Sequence, residues 1–264
     1  NRTGWSTNRT GCEDAYTCIM HARTFLLPLA AWTLSLLCTP TIAQTWTQVA
    51  DYGGAARWAP LSFAIDGNAY VGTGGDVDGY TLADMWKYDA GANTWSPSAS
   101  MAGGPRNYAW GFAVDGKGYA GHGNVSSDWW SYDPALDAWT QLASFTSIGT
   151  CQSSTGFVIG STIYVTTGLC SSCLYCTDLW AYDHFTDTWT QKASLPSAGR
   201  FGSVAFAIGG KGYLATGQSL AGSQLSDLWA YDPIADSWAQ KASLPAGNGR
   251  YEAMGFALGD HGYI

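Results

Sequence analysis

Four cysteines within 26 residues are the first candidates for chemistry: Cys151, Cys170, Cys173 and Cys176. Because the chain also carries an export pattern, described below, the even number favours two disulfides, for which three pairings are possible. A C-x-x-C-x-x-C metal cluster is the alternative, and export and the even count weigh against it. A redox-active C-x-x-C would need a thioredoxin-like βαβ pattern, which the sequence lacks.

A column of arginines offers a second kind of chemistry. Its members are Arg57, Arg106, Arg200 and Arg250, and three of them are followed by the aromatic residues Trp58, Phe201 and Tyr251. The guanidinium groups could bind an anionic ligand, or they could pair with a recurring aspartate. The rings could stack on a sugar or pack in the core. We treat all seven residues as candidates for a binding rim.

The sequence offers little for acid–base catalysis. Most acidic residues of the mature domain belong to the repeated motifs and turns described below. Those outside them are Asp51, Asp76, Asp78 and Glu252, and no two of these have the spacing of a paired general acid and base. His122 is the best single candidate for catalysis or metal binding, and it joins the rim candidates, but one histidine without partners is not a site. We therefore expect no catalytic residues, no metal and no cofactor.

Composition limits the class of protein that must position these residues. The chain has 264 residues, of which 14% are aromatic and 12% charged, with 33 glycines and 9 prolines. This mixture is typical of many short strands joined by tight turns, so we predict an all-β protein with a substantial core. A formal net charge of −8 argues against a nucleic-acid partner, because phosphate binding needs a basic surface.

The N-terminal region has the pattern of a secretory signal peptide. Residues 20–43 combine a charged start after Met20, an apolar run from Phe25 to Cys38 and a small residue, Ala43, at the cleavage point. A retained anchor and a lipoprotein at Cys38 are the alternatives. Residues 1–19 read as upstream sequence outside the fold. We expect a secreted or cell-surface mature domain, residues 44–264, with no membrane span.

Internal repeats organise the mature domain. Trp46, Trp95, Trp139, Trp189 and Trp238 recur at spacings of 44 to 50 residues, which places repeats at about 46–95, 96–139, 140–189, 190–238 and 239–264. A D-x-W-x-Y-D motif precedes four of these tryptophans. Its members are Asp84, Trp86, Tyr88 and Asp89; Asp128, Trp130, Tyr132 and Asp133; Asp178, Trp180, Tyr182 and Asp183; and Asp227, Trp229, Tyr231 and Asp232.

Each repeat predicts a sheet of four strands. The first runs from about the arginine to two residues beyond a recurrent phenylalanine, and the second follows the pattern Tyr-x-x-Thr-Gly. The third carries D-x-W-x-Y-D, and the tryptophan after the next turn opens the fourth. We interpret the motif residues as structural.

The R-x5-F, Tyr-x-x-Thr-Gly and D-x-W-x-Y-D columns resemble Kelch repeats, the blades of Kelch and galactose-oxidase-type β-propellers. The resemblance covers residues 45–264, and it implies a ring of six or seven four-stranded blades. Two departures are that the glycine doublet after strand two survives only as Gly74-Gly75, and that Cys151 stands where the third repeat should have arginine. From four complete repeats and part of a fifth we expect the chain to be a fragment of such a ring, and we expect residues 46–50 to form the fourth strand of the last blade.

Loop lengths locate the variable surface. The separation from the strand-two glycine to the strand-three aspartate is 10, 5, 10 and 10 residues, so variation is concentrated in this loop. Antiparallel pairing of strands one and two places the arginine column on the same rim. It also brings Cys151 to Cys170, so we predict that pair together with Cys173–Cys176.

The leading functional hypothesis is an interaction module that binds a protein or a glycan through this rim. One alternative is a carbohydrate-active enzyme, either a copper oxidase like galactose oxidase or a sugar isomerase, whose catalytic residues lie in missing sequence. A second alternative is an adhesive or structural protein of the cell surface.

Overall fold

The computed structural model describes residues 47–124, 126–146 and 149–264. The predicted upstream segment 1–19, the signal peptide 20–43 and Trp46 lie outside the described residues. The described part of the chain is built from strands and contains no helix, and hence none that could cross a membrane.

Alternating buried and exposed positions in strands of mostly five residues form the blades. The first blade contains β1 (Leu61–Ile65), β2 (Asn68–Gly72), β3 (Met85–Asp89) and β4 (Thr94–Ser98), and the second contains β5 (Trp110–Val114), β6 (Lys117–Gly121), β7 (Trp129–Asp133) and β8 (Ala138–Leu142).

The third and fourth blades carry extra two-residue strands in their loops. The third contains β9 (Cys151–Gln152), β10 (Thr155–Ile159), β11 (Thr162–Thr166), β12 (Leu169–Cys170), β13 (Leu174–Tyr175), β14 (Leu179–Asp183) and β15 (Thr188–Lys192). The fourth contains β16 (Arg200–Phe201), β17 (Val204–Ile208), β18 (Lys211–Ala215), β19 (Gln218–Ser219), β20 (Leu228–Asp232) and β21 (Ser237–Lys241). A last hairpin pairs β22 (Phe256–Leu258) with β23 (His261–Tyr263).

Each full blade is an antiparallel sheet whose main strands follow chain order. The orders are β1-β2-β3-β4, β5-β6-β7-β8, β10-β11-β14-β15 and β17-β18-β20-β21. This confirms the predicted all-β fold of four complete blades and part of a fifth. The first strands of successive blades lie beside one another, and the hydrophobic core lies between blades.

Strands one and two of a blade are shorter than predicted. A residue with left-handed backbone precedes strand one, and another follows strand two. Strand one starts four residues after Arg57 or Arg106, since Ala59 and Tyr108 between them have φ of 47° and 56°. Strand two ends before the threonine of Tyr-x-x-Thr-Gly, where Thr73 has φ of 55°. Such a backbone cannot continue a strand.

A phenylalanine of strand one packs against a glycine in strand two of the next blade. A Cβ on Gly118 would come within 2.5 Å of the Phe63 ring, and a Cβ on Gly212 would clash with the Phe157 ring. Stacking of Phe63 on Tyr70 across the β1–β2 register holds the ring in place. These glycines are therefore required by a close approach between blades.

Hydrogen bonds around the fourth-strand tryptophan join each blade to the one before. Trp238 Nε1 donates to the carbonyl of Ala193 at 2.8 Å, while Asp236 accepts from the Ala193 N–H at 2.9 Å and from the Tyr231 hydroxyl at 2.6 Å. The same set recurs around Asp137 and Asp187. The motif tyrosine thus serves the interface between blades.

Ala50 makes these contacts with the first blade. Its N–H donates to Asn93 Oδ1 at 2.8 Å, and its carbonyl accepts from Trp95 Nε1 at 3.1 Å. Residues 47–50 are not assigned to a strand, so the expected fourth strand remains a prediction. Ala50 nevertheless occupies the position that Ala99, Ala143 and Ala193 hold after the fourth strands.

Candidate functional site

A cavity of about 400 Å³ is lined by residues from all five repeats. We call it the five-repeat cavity, and its lining residues are Trp58, Ala59, Tyr108, Ser153, Ser154, Gly202, Ser203 and Glu252. Its volume falls within the range of small-molecule sites in proteins.

One position per repeat builds this cavity. Two residues after each arginine, or after Cys151 in the third repeat, the chain adopts a left-handed conformation with φ between 47° and 62°. The residues at this position are Ala59, Tyr108, Ser153, Gly202 and Glu252. Backbone hydrogen bonds connect several neighbours, from Tyr108 N to Ala59 O, Gly202 N to Ser153 O and Glu252 N to Gly202 O. The column therefore presents one variable side chain per repeat on a tied backbone.

The glycine after strand two supports the same region. In each complete blade its N–H donates to the carbonyl of the arginine-column residue in the next repeat, as from Gly74 to Arg106 at 2.7 Å and from Gly123 to Cys151 at 3.1 Å. These glycines have φ between 91° and 111°. Substitution there would strain the backbone that carries the cavity.

Three arginines of the column form forked ion pairs with the first aspartate of D-x-W-x-Y-D. Arg200 donates to both carboxylate oxygens of Asp227, at 2.6 and 2.8 Å, and Arg57 does the same with Asp84, at 2.9 and 2.8 Å. Arg106 pairs with Asp128 in this way and also donates to the carbonyls of Gly103, Gly104 and His122. All five N–H groups of Arg106 are used, so none remains for an external anion.

Burial corrects part of the predicted rim. Arg106, Arg200 and His122 are fully buried and do not contribute to an accessible surface. His122 stacks on Trp110 with ring centroids 4.0 Å apart, and neither of its nitrogens has a hydrogen-bond partner among the described residues. Burial, and then the nearby Arg106, lower its pKa to about 3 against an opposing effect of Asp128, so the ring is neutral at pH 7.

Asp227 and Asp128 keep their charge. Burial raises the pKa of Asp227, but hydrogen bonds from Arg200 and Trp229 outweigh it, and the pKa lies below the ordinary aspartate value. The pKa of Asp128 is likewise lowered, because hydrogen bonds from Arg106 and Trp130 outweigh the effect of burial. Arg200 and Arg106 therefore neutralise these two aspartates in pairs.

The third blade replaces the ion pair with a disulfide. Cys151 is bonded to Cys170, its neighbour in the β9–β12 register, and Cys173 is bonded to Cys176, which confirms the predicted pairing. Among the described residues no arginine pairs with Asp178, which accepts long hydrogen bonds from Gln191 and Ser194. The covalent bond thus joins the start of strand one to the loop after strand two, where other repeats use arginine.

The aromatic rim candidates are accessible. Trp58 is 44% exposed and packs edge-on against Tyr108, with ring centroids 5.7 Å apart. Phe201 lies between Tyr175, at 5.4 Å, and Tyr251, at 5.7 Å. Arg250, the fourth column member, donates from Nε to the carbonyl of Asn248 and is half-buried.

Polar groups complete the cavity wall. Burial raises the pKa of the Tyr108 hydroxyl, and the negative charge of Glu252 raises it further, so this hydroxyl is a donor near neutral pH. The buried Oγ of Ser154 has no hydrogen-bond partner among the described residues. Two rings, several hydroxyls and one carboxylate therefore meet around one small space.

Sequence reasoning missed the cavity position itself. The signal was present: the second residue after the arginine column reads Ala, Tyr, Ser, Gly and Glu across repeats that otherwise agree closely. Variation at one position of a regular repeat indicates a surface with a function other than holding the blade.

Comparison with known proteins bears on the fold. No protein-family model matches the chain, and no curated protein matches it. Among solved structures, 274 chains match; one, described as "Structure of YjhT", has a TM-score of 0.66 and 19% sequence identity, covering 83% of this chain and 79% of that one. The chain has a β-propeller fold. At this identity the likeness concerns the fold alone.

Proposed function

We propose that this chain is a Kelch-type propeller, secreted or held at the cell surface, that binds a glycan in the five-repeat cavity. The observation that carries the proposal is the combination of accessible rings, Trp58 and Tyr108, with serine hydroxyls and a single carboxylate around about 400 Å³. Sugars present apolar faces and many hydroxyl groups, and this lining offers a partner for each.

The size of the cavity favours a glycan over a protein. A stable protein partner would cover about 800 Å² on each side, whereas a concave site of this volume suits a few sugar rings. The arginines near the rim are paired with aspartates, so an anionic ligand would find no unpaired guanidinium at Arg57, Arg106 or Arg200. A neutral or amine-bearing glycan is the better match for Glu252.

The repeat columns support the Kelch assignment. In the second and fourth blades arginine, tryptophan and tyrosine occupy corresponding places and make corresponding hydrogen bonds. Two disulfides support export, because such bonds persist in oxidising compartments.

The test is calorimetric titration of the full chain with neutral gluco-, manno- and galacto-hexasaccharides after an array has ranked them. We expect Trp58→Ala to weaken binding by about tenfold or more, since it removes the exposed ring. Phe185→Ala is the matched control, because Phe185 is an exposed ring away from the cavity. Equal binding by wild type and Trp58→Ala, or no binding to any glycan alongside capture of a protein partner, would refute the proposal.

A further inference from the structure

Three sulfur atoms of the third blade lie together. The Sγ atoms of Cys151, Cys170 and Cys176 are all within 4.8 Å of one another, and all three residues are buried. Cys176 is bonded to Cys173, which is exposed. One disulfide is thus open to solvent at one end and adjacent to a second disulfide at the other.

We propose that these four cysteines form a thiol-exchange site, in which a low-molecular-weight thiol reacts at Cys173 and the released Cys176 then attacks the Cys151–Cys170 disulfide. The ligand class is a small monothiol such as glutathione. Nothing in the glycan-binding proposal is needed for this chemistry.

The first step is attack by the external thiolate on Cys173 Sγ. A sulfur–sulfur bond forms between the thiol and Cys173, the Cys173–Cys176 bond breaks, and Cys176 leaves as a thiolate. The external thiol gives its proton to solvent when it forms the attacking thiolate. No net oxidation occurs, because one disulfide replaces another.

In the second step Cys176 Sγ attacks a sulfur of the Cys151–Cys170 bond. A new disulfide joins Cys176 to one of these residues, and the other leaves as a thiolate that takes a proton from solvent. Exchange requires a thiolate to approach the bond that it breaks, and Cys176 already lies within 4.8 Å of both sulfur atoms.

Access to Cys173 is provided by the shape of the surface. Cys173 lines a groove of about 360 Å³ with Tyr175, Gly199 and Leu220. The groove lies at the β12–β13 turn, so a small thiol reaches the exposed Cys173 without opening the blade.

The site is placed where exchange would alter the five-repeat cavity. Cys151 occupies the arginine column, its carbonyl accepts the Gly123 N–H, and Ser153 and Ser154 follow it in the cavity wall. In the first, second and fourth blades this position is held by an ion pair that thiols do not affect. Among the four complete blades of the described residues, only the third uses a disulfide at this position, and a disulfide can be exchanged by a thiol.

Two single variants test the proposal. Cys173→Ser leaves Cys176 as a thiol beside the buried disulfide, while Cys176→Ser leaves Cys173, which is not a member of the three-sulfur group. Both variants lose the same disulfide, so the effect of losing that bond is matched. The pairing is mapped by mass spectrometry of non-reduced peptides from the full chain, with free thiols alkylated first and the peptides of Cys12, Cys18 and Cys38 read separately.

We expect peptides that join Cys176 to Cys151 or Cys170 in Cys173→Ser, at about tenfold or more the abundance of any rearranged pairing in Cys176→Ser. Wild type exposed to limiting glutathione should carry the mixed disulfide at Cys173. An unchanged Cys151–Cys170 bond as the sole pairing in Cys173→Ser would overturn the proposal, and so would glutathione attached at Cys176 in wild type.

Discussion

The guanidinium of Arg200 lies 2.6 Å from Oδ1 and 2.8 Å from Oδ2 of Asp227, which is 27 residues further along the chain. This forked pair connects the segment before strand one to the start of strand three, and the Arg200 side chain is fully buried. The geometry recurs in two other blades, so the pair belongs to the construction of the blade rather than to a ligand site.

Removing one partner of this pair should be costly. Arg200→Ala leaves the Asp227 carboxylate without its cation, and we expect the free energy of unfolding to fall by about 3–5 kcal/mol in urea denaturation. Lys211→Met is the control, because it breaks the exposed Lys211–Asp232 pair, which solvent screens, and it should leave the free energy of unfolding nearly unchanged. Similar losses in the two variants would contradict the buried role of Arg200.

His122 should make the protein sensitive to acid. Its pKa of about 3 in the folded state is below the ordinary value of 6.5, so the unfolded chain binds a proton that the folded chain does not. The stability contributed by neutral His122 is therefore present above pH 6.5 and is lost as the pH falls towards 3. We expect a loss of about 2 kcal/mol between pH 7.5 and pH 5.

His122→Thr, which restores the residue found at Thr73, Thr167 and Thr216, should remove this dependence. The measurement compares the pH dependence of urea unfolding for the two proteins, so that titration of the carboxylates cancels. Parallel curves would show that His122 is not the group responsible.

Gly118 should not tolerate a side chain. A Cβ there would lie within 2.5 Å of the Phe63 ring, so Gly118→Ala should destabilise the protein by about 1–3 kcal/mol through overpacking between the first two blades. Adding Phe63→Leu should recover part of the loss, as a double-mutant cycle in urea would show. Additive losses would mean that the clash is not with Phe63.

Asp236 should be replaceable by asparagine but not by alanine. Asn93 stands at the same place in the first blade and accepts the same two hydrogen bonds through Oδ1. Asp236→Asn should therefore change the melting temperature little, whereas Asp236→Ala loses the bonds from Tyr231 and Ala193 and should cost about 2–3 kcal/mol. If both variants were destabilised equally, the negative charge of Asp236 and not its hydrogen bonds would be the stabilising feature.

Repetition made the blades predictable from the sequence. Alternation in segments such as Leu179–Asp183 and the recurrence of D-x-W-x-Y-D every 44 to 50 residues are local signals, and the four sheets follow them. The Cys151–Cys170 disulfide was predictable for the same reason, because a hairpin brings its two strand ends together.

The direction and burial of single side chains depended on contacts between blades. The sequence alone determined that His122 replaces a threonine, but only the tertiary structure decided that its ring lies in the core against Trp110. In the same way, the cavity residues that stand two positions after each member of the arginine column are far apart in the chain. They form one cavity because left-handed backbones and hydrogen bonds between successive repeats bring them to one place, and no spacing within a single repeat encodes that.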